Sequence, residues 1–326
     1  MHKFYLTKYS ESTPYDITNY MNNITWSDDI DTVAETFTFD YVYNDTKYFK
    51  EINILAVGDI VSRYYNGKEI SRYIIVTETN GINSINYSCI DFGWYLNNDI
   101  LIQFYNNTAS SCIEKILDKY DIKHNITYIP TIITKIYKDE TIIDVIADIL
   151  GKATQELGMK YYVEMILDTL YITEQANKLI NPSWILSDGT IVDINNLISN
   201  PSNAKSIEDM KNKIVVASQD ENSTYILASE SDTNSIAKYG LLQDMITVDD
   251  KERVKSYNIA KQQLKLQNKI QSDISIETLG HIDLKSGRRI IIDEPITKIH
   301  GNYLIKSVSN SLTNGIWKAG LTLEVL

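Results

Sequence analysis

The feature that most constrains the fold is a two-residue alternation of apolar and polar side chains through the first 106 residues. Four segments combine β-branched or aromatic residues with turn formers at their ends: Thr36–Tyr41, Ile52–Leu55, Tyr73–Thr79 and Ile100–Tyr105. Successive side chains of a strand point to opposite faces, so this alternation is typical of half-buried strands. Asn66-Gly67 and Asn80-Gly81 separate such runs and tolerate the positive φ of a tight hairpin. Residues 1–106 are therefore predicted to form a small β-barrel or sandwich.

The period changes from two residues to a helical one near residue 108. Ser111 precedes Glu114 by three residues, the spacing of a capping box, and we predict a helix over residues 111–120. A second helix is predicted from an apolar stripe between Val145 and Leu157, with Gly158 as its left-handed C-terminal cap.

Two strands are predicted to follow that helix and to pair around Leu167-Asp168, namely Lys160–Val163 and Leu170–Thr173. Together with the two helices they make residues 107–175 a small α/β unit. Residues 176–211 contain Pro182, Asp188-Gly189 and Asn200-Pro201, which predict an irregular connector.

The C-terminal segment, residues 212–326, returns to strands around one long helix. The helix is predicted at about residues 249–268, with one side formed by Val254, Tyr257, Ala260 and Leu264. The strands are Lys213–Ala217, Thr224–Ala228, Ser275–Thr278, Arg289–Asp293, Tyr303–Val308 and Trp317–Val325. The predicted fold class is thus mainly β with α+β, with two small β-barrel units (1–106 and 212–326), an intervening α/β unit and one long helix in the C-terminal half.

Composition narrows the functional classes. The chain of 326 residues has 31 Lys and Arg against 43 Asp and Glu, a formal charge of −12. An acidic chain is poorly suited to hold a phosphate backbone, so stable nucleic-acid binding is not expected. The charge suits a lumen that lets DNA pass, and ordinary solubility explains it equally. Without a signal-like or membrane-spanning apolar stretch, we expect no membrane partner and synthesis in the cytoplasm.

Chemistry-bearing motifs are missing from the sequence. The four histidines are scattered, Cys89 and Cys112 form no metal-ligand spacing, and no nucleophile elbow, phosphate loop or dinucleotide fingerprint occurs. We therefore expect no catalytic, cofactor-binding or metal-binding residues, and the two cysteines are interpreted as core thiols. A serine or carboxylate site assembled from distant positions stays an alternative.

Tyrosine is unusually frequent, with 23 residues against 6 phenylalanines. Its large apolar ring and polar tip suit interfaces and stacking on sugars. Contact surfaces at Tyr41/Tyr43, Tyr64-Tyr65 and Tyr161-Tyr162 are therefore one interpretation. The codon composition of an A+T-rich genome is the other, and the sequence leaves both open.

Four motifs of the C-terminal half occur in a recognisable order: Ser235–Gly240, Leu279–Ile292, Gly301–Val308 and Asn314–Trp317. With the coarse order of a β-rich, an α/β and a second β-rich unit, they make the chain resemble the late-control-D and XkdQ/YqbQ families. These are baseplate hub proteins of contractile phage tails and of the phage-like particle PBSX. The positions that carry the pattern are Lys238, Tyr239, Gly240, Gly280, Gly287, Gly301, Tyr303 and Gly315.

Turn formation is the physical interpretation of these glycines. Gly240 would turn the chain toward the long helix, and Ser286-Gly287 would close a hairpin before Arg289–Asp293. Gly301-Asn302 would begin a strand, and Asn314-Gly315 would turn into the last one. The pattern departs from the family at Asn310, where the family often has a histidine.

The resemblance implies a non-enzymatic homotrimer whose two barrel units form a pseudo-six-fold ring. Such a ring joins the six-fold tail tube protein to a three-fold central spike protein, contacts other baseplate proteins and lets DNA pass without stable binding. The implied location is the bacterial host cytoplasm during assembly and then the tail baseplate of a phage, a phage-like particle or a tailocin. Two alternatives stay open, a glycan- or receptor-binding tail protein and a cell-wall hydrolase.

Overall fold

Hairpins dominate the N-terminal part of the structure, a computed structural model that describes residues 1–8, 13–42, 54–82, 84–175, 178–218, 225–248 and 256–326. The first strands are β1 (His2–Thr7), β2 (Tyr15–Asp16), β3 (Met21–Asp29), β4 (Thr36–Val42), β5 (Ile60–Tyr65), β6 (Lys68–Asn80), β7 (Ser84–Asp91) and β8 (Asp99–Thr108). Asn66 and Gly67 join β5 to β6 with φ of 49° and 82°. This hairpin confirms the predicted turn at Asn66-Gly67. Strands β6 and β7 also pair antiparallel, but Asn80 belongs to β6 and neither Asn80 nor Gly81 has a positive φ, so the predicted tight turn at this pair is wrong.

Alternation along these strands produces an aromatic core. In β4, Phe37, Phe39 and Tyr41 are buried while the residues between them are not. The Phe37 and Tyr73 rings stack with centroids 4.5 Å apart. Tyr87 is also fully buried, so several of the abundant tyrosines serve as core residues, each contributing roughly 1.5–3 kcal/mol by analogy with other large apolar side chains.

The middle of the chain forms α1 (Ala109–Lys119), β9 (Lys123–Ile126), β10 (Ile132–Thr141), α2 (Ile142–Leu157), β11 (Tyr161–Ile166) and β12 (Thr169–Glu174). The predicted second helix, its left-handed cap at Gly158 (φ 72°) and the β11–β12 pair are confirmed. The prediction that Ser111 caps the first helix is wrong. Thr108 is the N-cap, because its hydroxyl accepts the Ser111 N–H and the helix begins two residues earlier.

Strand β8 was grouped with the N-terminal strands in the sequence interpretation, but it pairs with β10. The physical reason is that helices α1 and α2 cover the apolar face of β8. Ile100 and Phe104 of β8 share one apolar cluster with Ile113 of α1 and Ile146 of α2.

Short strands occupy the stretch for which the sequence predicts an irregular connector. They are β13 (Leu179–Ile180), β14 (Ser183–Ile185), β15 (Ile191–Asp193) and β16 (Ser199–Ser206). The chain then forms β17 (Lys213–Ser218), β18 (Ile226–Ser231), α3 (Thr233–Tyr239), β19 (Gln243–Val248), α4 (Ser256–Gln267), β20 (Gln271–Leu279), β21 (Arg289–Glu294), β22 (Ile299–Thr313) and β23 (Ile316–Val325).

Two compact units result, Met1–Pro201 with Ser275–Leu326, and Ser202–Ile274. In the first unit a curled sheet has the order β20-β23-β22-β3-β4-β7-β6-β5-β1-β2, and β21 pairs with β22. Because β22 pairs with β3, strands from both ends of the sequence share this sheet. The division differs from the four segments of the sequence analysis, whose boundaries stay a prediction.

The second unit is a three-stranded sheet of order β18-β17-β19 with one helix against it. Helix α4 packs through Ile259, Ala260 and Leu264. Tyr257 was predicted on this packed side but is 55% exposed, because the contact is made by the neighbouring turns of the helix.

Four predicted features, at Tyr43, Ile52, Thr224 and Val254, fall outside the described residues, as do residues 176–177 of the predicted connector and 249–255 of the predicted long helix. Within the described part of the chain, no helix combines the length and the apolar character needed to cross a membrane.

Candidate functional site

A cavity of about 400 Å³ lies in the first unit, walled by side chains that are far apart in the sequence. Its walls mix two indole rings with charged groups. They include Trp26, Arg63, Glu164, Lys285, Asn310 and Trp317. Pockets of this volume and mixed lining are the usual form of binding sites.

Glu35 is the centre of a buried polar cluster beside the cavity. Arg63, which is 3% exposed, donates to the Ser71 hydroxyl at 3.0 Å, and its Nη2 lies 3.4 Å from Glu35 Oε1. The Tyr73 hydroxyl donates to the same oxygen. The Glu35 backbone N–H donates to Asp91 Oδ2 at 3.0 Å. A buried carboxylate is tolerated here because a cation and a hydroxyl both bind it.

Residues 284–288, which lead into β21, contact two other parts of the unit. The Ser286 N–H donates to Asp28 Oδ2 of β3 at 2.7 Å, and its hydroxyl lies 3.1 Å from the Tyr162 hydroxyl of β11. Arg288 donates to Glu164 of β11 at 2.6 Å. This segment therefore couples the N-terminal sheet to the α/β part.

Glu164 is bound by two cations. Lys178 Nζ lies 2.5 Å from Oε1, and Arg288 Nη2 lies 2.6 Å from Oε2. Burial would raise the pKa of Glu164, but the charges and hydrogen bonds of these cations outweigh it and hold the pKa below its ordinary value. The group is thus a structural carboxylate that stays ionised.

The pKa values of Asp28 and Asp91 are raised, whereas that of Glu164 is lowered. Burial and the nearby Glu35 charge raise the pKa of Asp28 to about 6. Burial raises the pKa of Asp91 to about 7, although hydrogen bonds from the backbone N–H groups of Glu35 and Gly93 oppose the increase. Both carboxyls therefore take up protons near neutral pH.

An aromatic box adjoins the cluster. The His2 ring is 4.8 Å from the rings of Tyr65 and Trp317 and 5.6 Å from Trp26. Burial, with a smaller effect of Arg63, lowers the pKa of His2 to about 3. The imidazole is neutral, and both of its nitrogens lack hydrogen-bond partners. A second cavity, of about 570 Å³, opens beside it.

Gly280 permits the position of Trp317. A Cβ atom at Gly280 would lie 2.1 Å from the indole ring. The Gly280 N–H donates to the Trp317 carbonyl at 2.8 Å, and its own carbonyl accepts from the Trp184 indole at 3.0 Å. The Trp317 indole donates to Asn310 at 2.7 Å. Gly280 thus provides space for a ring.

Gly287 has a similar role beside Tyr162. Its φ is 71°, and a Cβ atom would lie 2.4 Å from the Tyr162 ring. The prediction that Ser286-Gly287 closes a hairpin is wrong, since β21 finds its antiparallel partner in β22, which follows it. The Gly287 N–H donates to the Ile305 carbonyl at 2.9 Å instead.

The remaining pattern residues of the first unit lie in β22 and at its end. Gly301 (φ 137°) lies inside β22, which begins at Ile299, so the expectation that Gly301 begins the strand is two residues late. Tyr303 is buried and pairs with Ile290. Gly315 (φ 78°) follows Asn314 in the turn to β23.

Lys238, Tyr239 and Gly240 lie in the second unit at the end of α3. The Lys238 ammonium is 4.8 Å from the centre of the Tyr239 ring. Gly240 (φ 82°) ends the helix, and its carbonyl accepts from the buried Asn212 at 2.7 Å. These three residues form a helix cap and contribute nothing to the cavity of the first unit.

Of the eight pattern residues, Gly280 lies against Trp317, which lines the cavity, and Gly287 lies against Tyr162, whose hydroxyl contacts Ser286. The sequence analysis does not single out Glu35, Arg63 or Glu164, and it names Asn310 only as a departure from the family pattern. Arg63, Glu164 and Asn310 are buried polar residues within strands, and in the sequence each one only interrupts an apolar alternation. Glu35 precedes β4 and has no such signal.

Among the described residues, no three His, Cys, Asp or Glu side chains are grouped to hold a metal ion. Burial raises the pKa of both Cys89 and Cys112, the latter to about 11, so neither is a thiolate at neutral pH.

Comparison with known proteins places these features in a family. YqbQ of Bacillus subtilis strain 168 is 28% identical over 265 residues, 77% of this chain and 76% of YqbQ. The phage-like element PBSX protein XkdQ of the same organism is 27% identical over 260 residues, with the same coverage. The 43 kDa tail protein of prophage MuSo2 from Shewanella oneidensis has the same fold, with a TM-score of 0.70 over 99% of this chain and 97% of that protein, at 13% identity. The YQBQ-like family model matches residues 24–324, and the chain belongs to this family.

Proposed function

We propose that this protein is the structural baseplate hub of a contractile tail, of a phage, a defective prophage or a tailocin. The observation that carries the proposal is the extent of the likeness. The family match spans residues 24–324, and one relative is a protein of a phage-like element. The shared fold with a prophage tail protein extends over nearly all of both chains.

The buried contacts of the first unit suit a part of the tail that keeps its shape under force. Residues 284–288 bind β3 through Asp28 and β11 through Tyr162 and Glu164. Buried charge networks of this kind are rigid when all their members are satisfied. A hub that joins a tube to a spike needs such rigidity.

In the proposed assembly three copies form a ring. Two barrel-like regions per chain would offer six similar faces to the tail tube protein and three faces to the central spike protein. Other baseplate proteins would contact the outside of the ring. DNA would pass through an acidic lumen without stable binding, and no catalytic activity or membrane contact is included. Assembly would take place in the host cytoplasm, before incorporation into the tail baseplate.

The solution mass tests this proposal. Light scattering after size exclusion is measured over a concentration series, with electron microscopy of the same fractions. We expect about three times 37.3 kDa and ring-shaped particles. A monomer at every concentration, also when co-expressed with a candidate spike protein, contradicts the trimeric hub.

Glycan binding is a second candidate because of one groove. Phe92, Tyr95 and Tyr120 wall a cavity of about 320 Å³ together with Asn98 and Asp168. Aromatic faces beside amide and carboxylate groups match the apolar and hydroxyl surfaces of a sugar. Retention on purified cell walls that is lost in Tyr95→Ala supports this candidate, and an absence of retention removes it. Cell-wall lysis in the same assay would support the alternative that the protein is a cell-wall hydrolase.

A further inference from the structure

The turn between β21 and β22 presents an isoleucine to solvent. Ile296 is 85% exposed, and Pro295 before it is exposed as well. The buried Glu294 carboxylate accepts the Ile296 N–H at 2.9 Å, the Thr297 N–H at 2.7 Å and the Thr297 hydroxyl. These hydrogen bonds fix the backbone of the turn, so the exposed isoleucine is ordered before any partner binds it. An apolar side chain that is held in this way loses little conformational entropy on binding.

The cavity of about 570 Å³ beside the aromatic box has an apolar wall. Among the described residues that form it, none is Lys, Arg, Asp or Glu, in contrast to the cavity of about 400 Å³. The apolar wall residues that keep accessible surface include Met21, Trp184, Leu312, Ile316 and Trp317. The polar groups of the wall are the Met1 ammonium, which donates to Asn66, and the side chains of His2, Thr18, Asn22 and Asn314. Apolar surface that stays open to water in this form is typical of a contact site.

The turn and the cavity lie toward opposite ends of one strand. Ile296 comes just before β22, which begins at Ile299, and Leu312 is next to its last residue. At about 3.4 Å per residue, the strand separates Ile299 from Leu312 by about 45 Å along its length. Ile296 is therefore remote from the cavity of its own chain, but a second copy can bring its own turn there. A contact between two different surfaces of one protein is heterologous, and such contacts form a ring when the rotation closes.

We propose that the Ile296 turn of one copy inserts into the 570 Å³ cavity of the next copy. This inference rests on the proposed trimeric hub and names the surfaces through which its subunits meet. Insertion removes both the exposed isoleucine and the open apolar wall from water, which favours association. Each chain supplies one turn and one cavity, so a closed ring of copies covers every turn and fills every cavity. A different protein in the cavity would leave the Ile296 turn exposed.

Disulfide formation between copies of the full chain tests this contact. Ile296→Cys is mixed with separately purified Ile316→Cys, whose position lines the cavity and is 55% exposed in the native chain. The native Cys89 and Cys112 are buried and do not compete. In the control mixture Ile82→Cys takes the place of Ile296→Cys, because Ile82 is 92% exposed between β6 and β7 and lies outside the cavity lining. Linked chains are measured by electrophoresis without reductant after mild oxidation.

We expect the mixture of Ile296→Cys and Ile316→Cys to give about fivefold or more linked chains than the control mixture, because a disulfide needs Cβ atoms within about 4.5 Å. Light scattering provides a second measurement. Ile296→Asp should raise the concentration at which the trimer dissociates by about tenfold or more, and Ile82→Asp by less than about twofold. Both isoleucines are exposed, so the folding of these variants is not at risk.

The outcomes separate this contact from the hub proposal. A trimer that gives no mixed disulfide above the control, or that Ile296→Asp leaves intact, overturns the contact and leaves the hub standing. An equal yield of linked chains from Ile296→Cys alone also overturns the contact, because it would show that two turns meet. A mixed disulfide in a chain that otherwise stays monomeric supports the contact and contradicts the trimeric hub.

Discussion

The hairpin from β22 to β23 and the segment at residues 280–288 use glycine in opposite ways. In the hairpin, Asn314 and Gly315 have φ of 52° and 78°, and nothing lies within 4 Å of the space a Gly315 side chain would occupy. At Gly280 the φ angle is ordinary, and the missing side chain makes room for the Trp317 ring. Gly287 combines both requirements, a φ of 71° and an adjacent Tyr162 ring.

The comparison shows that glycines of one sequence pattern are required for different physical reasons. A turn glycine relieves backbone sterics that its own dipeptide creates. A glycine beneath a ring is required because an aromatic residue distant in the sequence occupies the space of its side chain. Alanine substitutions should therefore distinguish the two groups of glycines in two ways. One is the size of the loss in the free energy of unfolding, and the other is whether a second substitution reduces that loss.

Gly280→Ala is expected to have the largest effect, a loss of about 3 kcal/mol or more in the free energy of unfolding. The new Cβ atom would lie 2.1 Å from the Trp317 ring, which is fixed by its hydrogen bond to Asn310. Denaturant unfolding measures the loss. In a Trp317→Leu background the added cost should shrink to less than half, and equal costs in both backgrounds would show that the ring is not the cause.

Gly287→Ala is expected to lose about 2 to 3 kcal/mol, from the backbone and the ring together. Removing the ring with Tyr162→Leu should recover only the steric part, because the φ of 71° remains. A residual cost of about 1 kcal/mol is then expected from denaturant unfolding. Complete rescue would contradict a backbone contribution at this position.

The Asp28 carboxyl, which accepts the Ser286 N–H, makes the stability of the folded chain depend on pH. Its folded pKa of about 6 lies above the ordinary 3.8, so the folded chain binds the proton more tightly than the unfolded chain. Stability from this group therefore increases as pH falls through about 6, by about 1 to 1.5 kcal/mol between pH 8 and pH 5. Asp28→Asn keeps an oxygen for the Ser286 N–H and should remove this increment from unfolding curves. Unchanged pH dependence in the variant would contradict the assignment.

Gly315→Ala is expected to have the smallest effect, about 1 kcal/mol, because only the positive φ is strained. Gly315→Asn should cost less, since asparagine tolerates this conformation. Thermal or denaturant unfolding of both variants tests the order. A cost for Gly315→Ala equal to that of Gly280→Ala would break the distinction between the two kinds of glycine.

Much of the fold was predictable because it depends on neighbours in sequence. Alternation in β4, the turns at Asn66-Gly67 and Asn314-Gly315, and the Gly158 cap of α2 all follow from local side-chain direction and backbone sterics. The candidate site was not predictable in the same way. The role of Arg63, an inward-facing charged residue of β5, is evident only from its contacts with Glu35 and Trp26, which lie elsewhere in the sequence.

The sequence by itself determined the strands, most helices, their tight turns and the family, because each depends on short-range geometry or on a pattern spread along the chain. Tertiary structure alone decided that β22 pairs with β3, that β8 joins β10, and that residues 284–288 bind both Asp28 and Glu164. The physical reason is that strand pairing and the burial of charge are settled by which surfaces exclude water together. Those partners lie far apart in the sequence, 258 residues in the case of Asp28 and Ser286, a distance over which no local pattern carries information.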